Sequence, residues 1–160
     1  VGAPVAFISG TLQVSRTLRQ HWPRLHRWLG RFYCVSVLVA AAPGGLVMGF
    51  WAYGGLSSFL CFSLLAGLTW TATFLGWRFG RLGKVKWHAK WMVRSYLLLA
   101  SAICLRLLHP MLSVLALNHE LTYQLSVWTS WVLPLSLFEL LSWSGDRARQ
   151  KCADANIVSL

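Results

Sequence analysis

From Phe32 to Trp77 the chain runs for 46 residues without one Asp, Glu, Lys, Arg or His. As a single helix that run would be about 69 Å long, more than twice the roughly 30 Å of a bilayer's hydrocarbon core. A water-soluble fold of 160 residues could not cover so much apolar chain, because small domains leave a large share of their surface exposed. The run therefore crosses a membrane, turns and crosses again. Its turn signal is Tyr53-Gly54-Gly55, with Ser57-Ser58 just beyond, which predicts helices over about 32–52 and 56–78.

Two more apolar stretches follow, about 91–117 and 121–143, separated by the short polar connection Asn118-His119-Glu120. The opening stretch, Val1 to Val14, is apolar but only about 21 Å long as a helix, which is short for a span. It reads as the end of a helix that starts before Val1, after processing or truncation. The predicted fold is all-α: a polytopic transmembrane helix bundle over 1–144, with four full spans plus a partial N-terminal helix over about 1–14. A polar, loosely ordered cytoplasmic tail is expected over 145–160.

Charge placement tests this layout independently. The connection 15–31 holds Arg16, Arg19, Arg24, Arg27 and Arg31, and the connection 78–90 holds Arg78, Arg81, Lys84, Lys86 and Lys90. The tail holds Arg147, Arg149 and Lys151, whereas 53–55 and 118–120 hold no Lys or Arg. Basic and bare connections thus alternate, as the positive-inside rule requires of one consistent threading, with the basic connections and the C-terminus in the cytoplasm. Composition agrees: 56% of residues are hydrophobic and only 12% charged, about half the share usual in soluble domains. A soluble enzyme domain, a disordered tail and a disulfide scaffold are excluded. The net charge of +11 would suggest nucleic acid in a soluble chain, but thirteen of the fifteen cations lie in the three basic segments, where anionic lipid head groups attract them. Membrane lipids and other membrane subunits are the expected partners, and nucleic acid is not.

Helix association in lipid depends on close packing, because burying Leu against Leu in place of a lipid tail gains little. The stretch 32–52 carries Ala41, Gly45 and Gly49 at intervals of four, with Pro43 among them as a kink signal. The next carries Ala66, Thr69, Thr73, Gly76 and Gly80 at intervals of three and four. The two small faces are expected to meet across the turn, packing being favoured over a flat ligand such as a pigment or haem in the groove. Trp22, Trp28, Trp51, Trp77, Trp87, Trp91 and Trp143 fall at predicted span ends, where the ring anchors a helix at head-group level. Trp70, Trp128 and Trp131 sit deeper, as packing or cofactor contacts.

A few polar groups lie where lipid disfavours them. Arg106 is well inside the 91–117 span, and a charge near a helix centre costs about 2.5–3.5 kcal/mol on insertion scales. Ser95, Ala102, Arg106, His109 and Ser113 fall within about 40° on a helical wheel, a polar stripe expected to point into the bundle. Two readings stand open for Arg106: snorkelling to the outer face, or binding an anionic group such as a quinone oxygen, a haem propionate, a lipid phosphate or a transported anion. Arg94 and Glu139 share the cytoplasmic depth and are expected to pair as a tie between helices. His26 and His88 both precede spans on that side and would have to converge to hold a b-type haem, with His109 the one clearly intramembrane histidine. Interfacial histidine beside basic groups is the competing reading. Cys34, Cys61, Cys104 and Cys152 show no metal or redox spacing, so no metal site is expected.

His26-Arg27-Trp28-Leu29-Gly30-Arg31-Phe32-Tyr33 and His88-Ala89-Lys90-Trp91-Met92-Val93-Arg94-Ser95-Tyr96 carry the motifs HR-x-x-G-x-x-Y and H-x-x-W-M-x-R-S-Y. Through them the chain resembles a bacterial family described only as predicted membrane proteins of unknown function, over about Gly10 to Glu139. Leu105-Arg106 is similar to that family's arginine in the same helix. Thr11 departs from the Pro usual in a G-P-x-Q turn, and Trp128-x-x-Trp131 lacks the Asn that normally follows. The resemblance implies a further helix upstream and brings no activity.

The expected function is a non-catalytic accessory or structural subunit of a larger membrane complex, respiratory or photosynthetic, in a bacterial inner membrane. The sequence shows no nucleophile with a base, no carboxylate pair and no phosphate loop. The first alternative is a haem- or quinone-binding redox protein using His26, His88, His109 and Arg106. The second is a small-solute transporter.

Overall fold

The first span begins earlier than its apolar run because Pro23 supplies a ready helix start: its ring fixes φ, and the missing N–H is one the first turn leaves unpaired anyway. The computed structural model describes residues 7, 8, 10, 11, 20–114 and 118–158, the side chains of 146 and 148–158 aside. Four long helices occur among the described residues: α1 (Pro23–Phe50), α2 (Gly55–Arg81), α3 (Val85–Ser113) and α4 (His119–Val158). Each contains a stretch long and apolar enough to cross a membrane, that of α4 being His119–Gly145. No strand occurs among the described residues. The fold is the all-α membrane bundle, and the helix starts at 23 and 85 precede the apolar boundaries at 32 and 91. Charged turns such as Val85–Lys90 belong to the helix all the same, because hydropathy marks where an apolar stretch begins and not where a helix does.

α1 is not uniform. Its α-helix over Pro23–Val35 passes into a π-helical segment, Ser36–Ala41, and resumes as α-helix over Ala42–Phe50. Pro43 has no N–H for the carbonyl of Val39 and its ring crowds that carbonyl, so the wider π turn relieves the conflict without breaking the span. The turn to α2 is made by Gly54 and Gly55, both at positive φ (97° and 64°), a backbone shape that side chains disfavour.

The expected partial helix is present at its described positions. Phe7, Ile8, Gly10 and Thr11 are helical, and the rest of 1–14 lies outside the described residues, as do Arg16, Arg19 and 115–117. Phe7 stacks on Tyr96 of α3 at 5.2 Å between ring centres, and Thr11 Oγ1 lies 2.9 Å from the Tyr96 hydroxyl. At the other terminus the structure departs from a tail beginning at 145. α4 is helical through Gly145 to Val158, because one Gly only weakens a helix whose following residues (Arg147, Ala148, Arg149, Gln150, Lys151) are strong helix formers.

α2 and α3 occupy the middle, with α1 on α2 and α4 against α3 and, over less of its length, α2. The start of α1, the α2–α3 turn and the outgoing end of α4 form one end of the bundle, so the described residues of the three basic segments share it, and Arg94 and Arg106 lie along α3. The interior reverses the pattern of a soluble protein. Ser58, Thr69, Thr73, Ser95, Ser101, Thr122, Ser126 and Ser130 are buried, whereas leucines such as Leu60, Leu107, Leu133 and Leu140 cover the outside.

The two small-residue stripes meet in part. A Cβ at Gly45 would lie 3.7 Å from the Ala66 Cβ, and one at Gly49 would lie 3.2 Å from the Phe62 Cβ. Farther along, Thr73, Gly76 and Gly80 turn to α3 instead, since α2 lies between two neighbours and divides its stripe between them. A Cβ on Gly76 would come within 2.7 Å of Met92 Sδ and 3.4 Å of the Met92 amide nitrogen, while Gly67 has open space around it. Gly76→Val should therefore destabilise the detergent-solubilised protein by about 1–3 kcal/mol through overpacking. Gly67→Val should leave the thermal midpoint nearly unchanged, and equal effects of the two would contradict this packing.

Candidate functional site

The motif residues assemble in the basic half of the bundle. Tyr33 reaches from α1, Thr73 from α2 and Ser95 from α3, and all three are essentially without exposure. The Tyr33 hydroxyl lies 2.8 Å from Ser95 Oγ, and Ser95 Oγ lies 2.6 Å from Thr73 Oγ1, which also donates to the Thr69 carbonyl at 2.7 Å. Three helices are thus joined by one chain of hydroxyls. Ser and Thr serve here because a short hydroxyl lets backbones approach, and Thr73 also bonds the carbonyl one turn back.

His88, on the first turns of α3, points at α2. Its Nδ1 lies 2.7 Å from the Gly76 carbonyl, and its ring fills the space beside Gly80, where a Cβ would be 2.8 Å from Nδ1. As the N–H donor in that bond, Nδ1 leaves Nε2 as the acceptor nitrogen. Arg94 lies on the same helix and forms a two-pronged ion pair with Glu139 of α4: Nε bonds Oε1, and Nη2 donates to Oε2 at 2.9 Å. The guanidinium also lies over the Trp91 ring at 4.7 Å and near the Phe138 ring at 5.8 Å. The expected pair is brought together, with aromatic faces supporting its cation.

The opposite end holds a second cluster. His109 of α3 packs edge-on against His119 (6.0 Å) and Tyr123 (5.9 Å) of α4, and Tyr53 of the α1–α2 turn packs edge-on against the same two residues at 5.5 and 5.8 Å. Ser126 Oγ is a long 3.5 Å from His109 Nδ1. Gln124 donates to the Gly54 carbonyl at 3.3 Å and to Glu120 at 3.2 Å, closing this end across the α1–α2 turn. Beside it lies an open groove of about 310 Å³ lined by Met48, Trp51, Tyr53, Phe62 and Tyr123. A larger open groove of about 600 Å³ runs along α4 past Trp128, Val132, Leu133 and Leu140, away from both clusters.

Arg106 is not where the helical wheel put it. Ser95 is buried, but Ala102, Arg106 and Ser113 are exposed and His109 is half-buried. The contact seam of α3 runs through Ser95, Leu98, Ser101 and Leu105 and leaves Arg106 on the outside. On the same wheel Leu98, Ser101 and Leu105 fall about 60–120° to one side of Ser95 and Arg106 about 20° to the other, so the polar stripe runs along the edge of the contact face and not its centre. Among the described residues, the one bond from the Arg106 side chain is Nη1 to the Ala102 carbonyl, at 2.9 Å.

Of the histidines considered for haem, His88 is bonded to the Gly76 carbonyl and His26 is half-buried on α1, whereas His109 packs against His119 and Tyr123 at the opposite end of the bundle. No group of three or more His, Cys, Asp or Glu able to hold a metal occurs among the described residues. Sequence reasoning missed Tyr53 and Tyr123, which no local pattern ties to His109, and the role of Thr73 as the α2 member of the hydroxyl chain. It also left Trp128 and Trp131 undecided. Their indole N–H groups bond Ser57 Oγ at 3.2 Å and Cys61 Sγ at 3.0 Å, so both join α4 to α2.

Among curated proteins and among solved structures, no match to the chain is found. Residues 1–142 match the family described as "Predicted membrane protein (DUF2306)", a membrane protein family of unknown function, and the chain belongs to that family.

Proposed function

We propose that the chain is a non-catalytic subunit or accessory protein of a larger membrane assembly in a bacterial inner membrane. On this reading the basic end of the bundle lies in the cytoplasm, as the positive-inside rule requires. The supporting observation is the use made of the polar residues in the motifs. Tyr33 bonds Ser95, which also bonds Thr73 of α2, His88 braces the Gly76 carbonyl, and Arg94 pairs with Glu139 of α4. Each of these groups joins one helix to another, which is the work of a scaffold. Mild extraction followed by native electrophoresis tests the reading: the chain should migrate within a species far larger than its own 18.0 kDa plus detergent, and migration as a lone small species would overturn it.

One observation favours a second reading, a haem- or quinone-binding redox protein. With Nδ1 held by a backbone carbonyl, the His88 ring has the orientation seen in histidines that present Nε2 to a metal. A visible spectrum of the purified protein separates the two: a Soret band lost in His88→Ala would support haem, and a flat trace removes it.

The scaffold reading also fixes the expected response to mutation. Interhelical hydrogen bonds in membranes are worth about 0.6 kcal/mol on average and up to about 1.7. Ser95→Ala, which breaks two, should lower unfolding stability by roughly twice as much as Tyr33→Phe, which breaks one. Arg94→Gln and Glu139→Gln should each lower the unfolding temperature, while the swap Arg94→Glu with Glu139→Arg should recover most of the loss. A swap no better than either single change would show that the pair does not tie α3 to α4.

A further inference from the structure

We infer that the end of the bundle with the bare connections binds the head of a membrane quinone, its ring in the groove between α1, α2 and α4 and its oxygens on the hydroxyls of Tyr53 and Tyr123. Such binding goes beyond the subunit reading and does not depend on it, and it places a ligand at the end opposite His88. The groove, about 310 Å³, has the volume at which small-molecule sites begin. Three helices build it: Met48 and Trp51 stand at the end of α1, Phe62 on α2 and Tyr123 on α4. Val47, Met48 and Trp51 are exposed, so the groove is reached from the membrane.

Four rings from three parts of the chain give this end its chemistry. Tyr53, His119, His109 and Tyr123 form a closed circuit, each ring centre 5.5–6.0 Å from the next and each plane tilted by 77–85°. The two histidines thus hold both tyrosines in place, and both tyrosines line the groove. Among the described residues neither phenol hydroxyl is hydrogen-bonded, so each can donate to a ligand. Behind Tyr123 lies another unused group. Ser58 Oγ is buried without a partner among the described residues, and a Cβ at Gly54 would be 2.5 Å from it and 3.4 Å from Tyr123 Cδ1. An unpaired hydroxyl at membrane depth is costly, and a ligand oxygen, or water carried in with it, supplies the missing partner.

What these groups offer selects the ligand. Trp51 and Phe62 present aromatic surface to a flat ring, and Met48 adapts to its outline. The phenols donate to oxygen acceptors of carbonyl type. An anion finds little to hold it: the connections 53–55 and 118–120 carry no Lys or Arg, and the Arg106 side chain bonds the Ala102 carbonyl on the exposed face of α3. The Glu120 carboxylate is engaged by Gln124, which leaves less of it for a cation. A plain acyl chain would fill the groove and leave both phenols without a partner. A neutral, flat, membrane-soluble molecule with oxygens on its ring meets all of these conditions, and that is a quinone.

The test uses the full chain in phosphatidylcholine nanodiscs with decylubiquinone as the probe, and decylbenzene, which has the tail and a ring but no oxygen, as the control. Decylubiquinone should bind saturably at one molecule per chain, whereas decylbenzene should only partition into the lipid. Tyr53→Phe combined with Tyr123→Phe keeps both rings and removes both hydroxyls, so it should weaken binding roughly tenfold or more with thermal unfolding unchanged. Val47→Trp, on the exposed rim, should fill the groove and abolish binding, and His88→Ala should bind as wild type does. Equal saturable binding of decylbenzene, or binding unaltered in the double Phe variant or in Val47→Trp, would mark an adventitious additive only and overturn the inference. Loss in His88→Ala with binding kept in the double Phe variant would move the quinone to the other end, which also overturns it while the redox reading stands. If decylubiquinone shows no saturable binding at all, the inference fails and the subunit reading is untouched.

Discussion

Lipid removes two of the forces that organise a soluble fold. It supplies no water to satisfy a stray N–H or hydroxyl, and it gives leucine no reason to prefer another leucine over an acyl chain. What can still hold four helices together is close approach of their backbones and the polar links that close approach permits. Both are visible where α2 meets its neighbours. Gly45 lies against Ala66, Gly76 admits Met92, and the Tyr33–Ser95–Thr73 hydroxyls meet where three helices converge. The interior is small and hydroxylated and the exterior large and apolar because this medium rewards that distribution.

Much of the architecture was legible in the sequence, for a definite reason. An uncharged run of 46 residues leaves no alternative to two crossings, and the alternation of basic and bare connections sets their sense relative to one another. Helix ends were less legible. Hydropathy reports where hydrocarbon begins, and α1 and α3 start well before it, at Pro23 and Val85. α4 likewise continues as helix past its membrane stretch, through the polar residues after Gly145.

The polar groups show where one-dimensional reasoning stops. Arg94 and Glu139 could be paired because shared depth follows from counting residues along two spans. Arg106 could not be oriented, because a line of polar residues on a wheel does not say which face beside it makes the contact. The histidine and tyrosine cluster at the bare end joins residues from 53 to 123, a convergence that only the folded chain reveals. Two short motifs grouped Tyr33, His88, Arg94 and Ser95, and their contacts give that grouping a physical sense: together they couple α3 to α1, α2 and α4.

The π segment at Ser36–Ala41 has a consequence for how α1 is phased. A wide turn accommodates one more residue than an α-helical turn over nearly the same rise, so it rotates everything after it relative to everything before. Upstream, Tyr33 is aimed toward Ser95; downstream, Gly45 and Gly49 are aimed at α2. Were the segment tightened to ordinary α-helix by losing one residue, the two halves would fall out of step by about 100°, and α1 could serve one of these contacts but not both. The irregular turn acts as the angular offset by which a single rod addresses two separate neighbours.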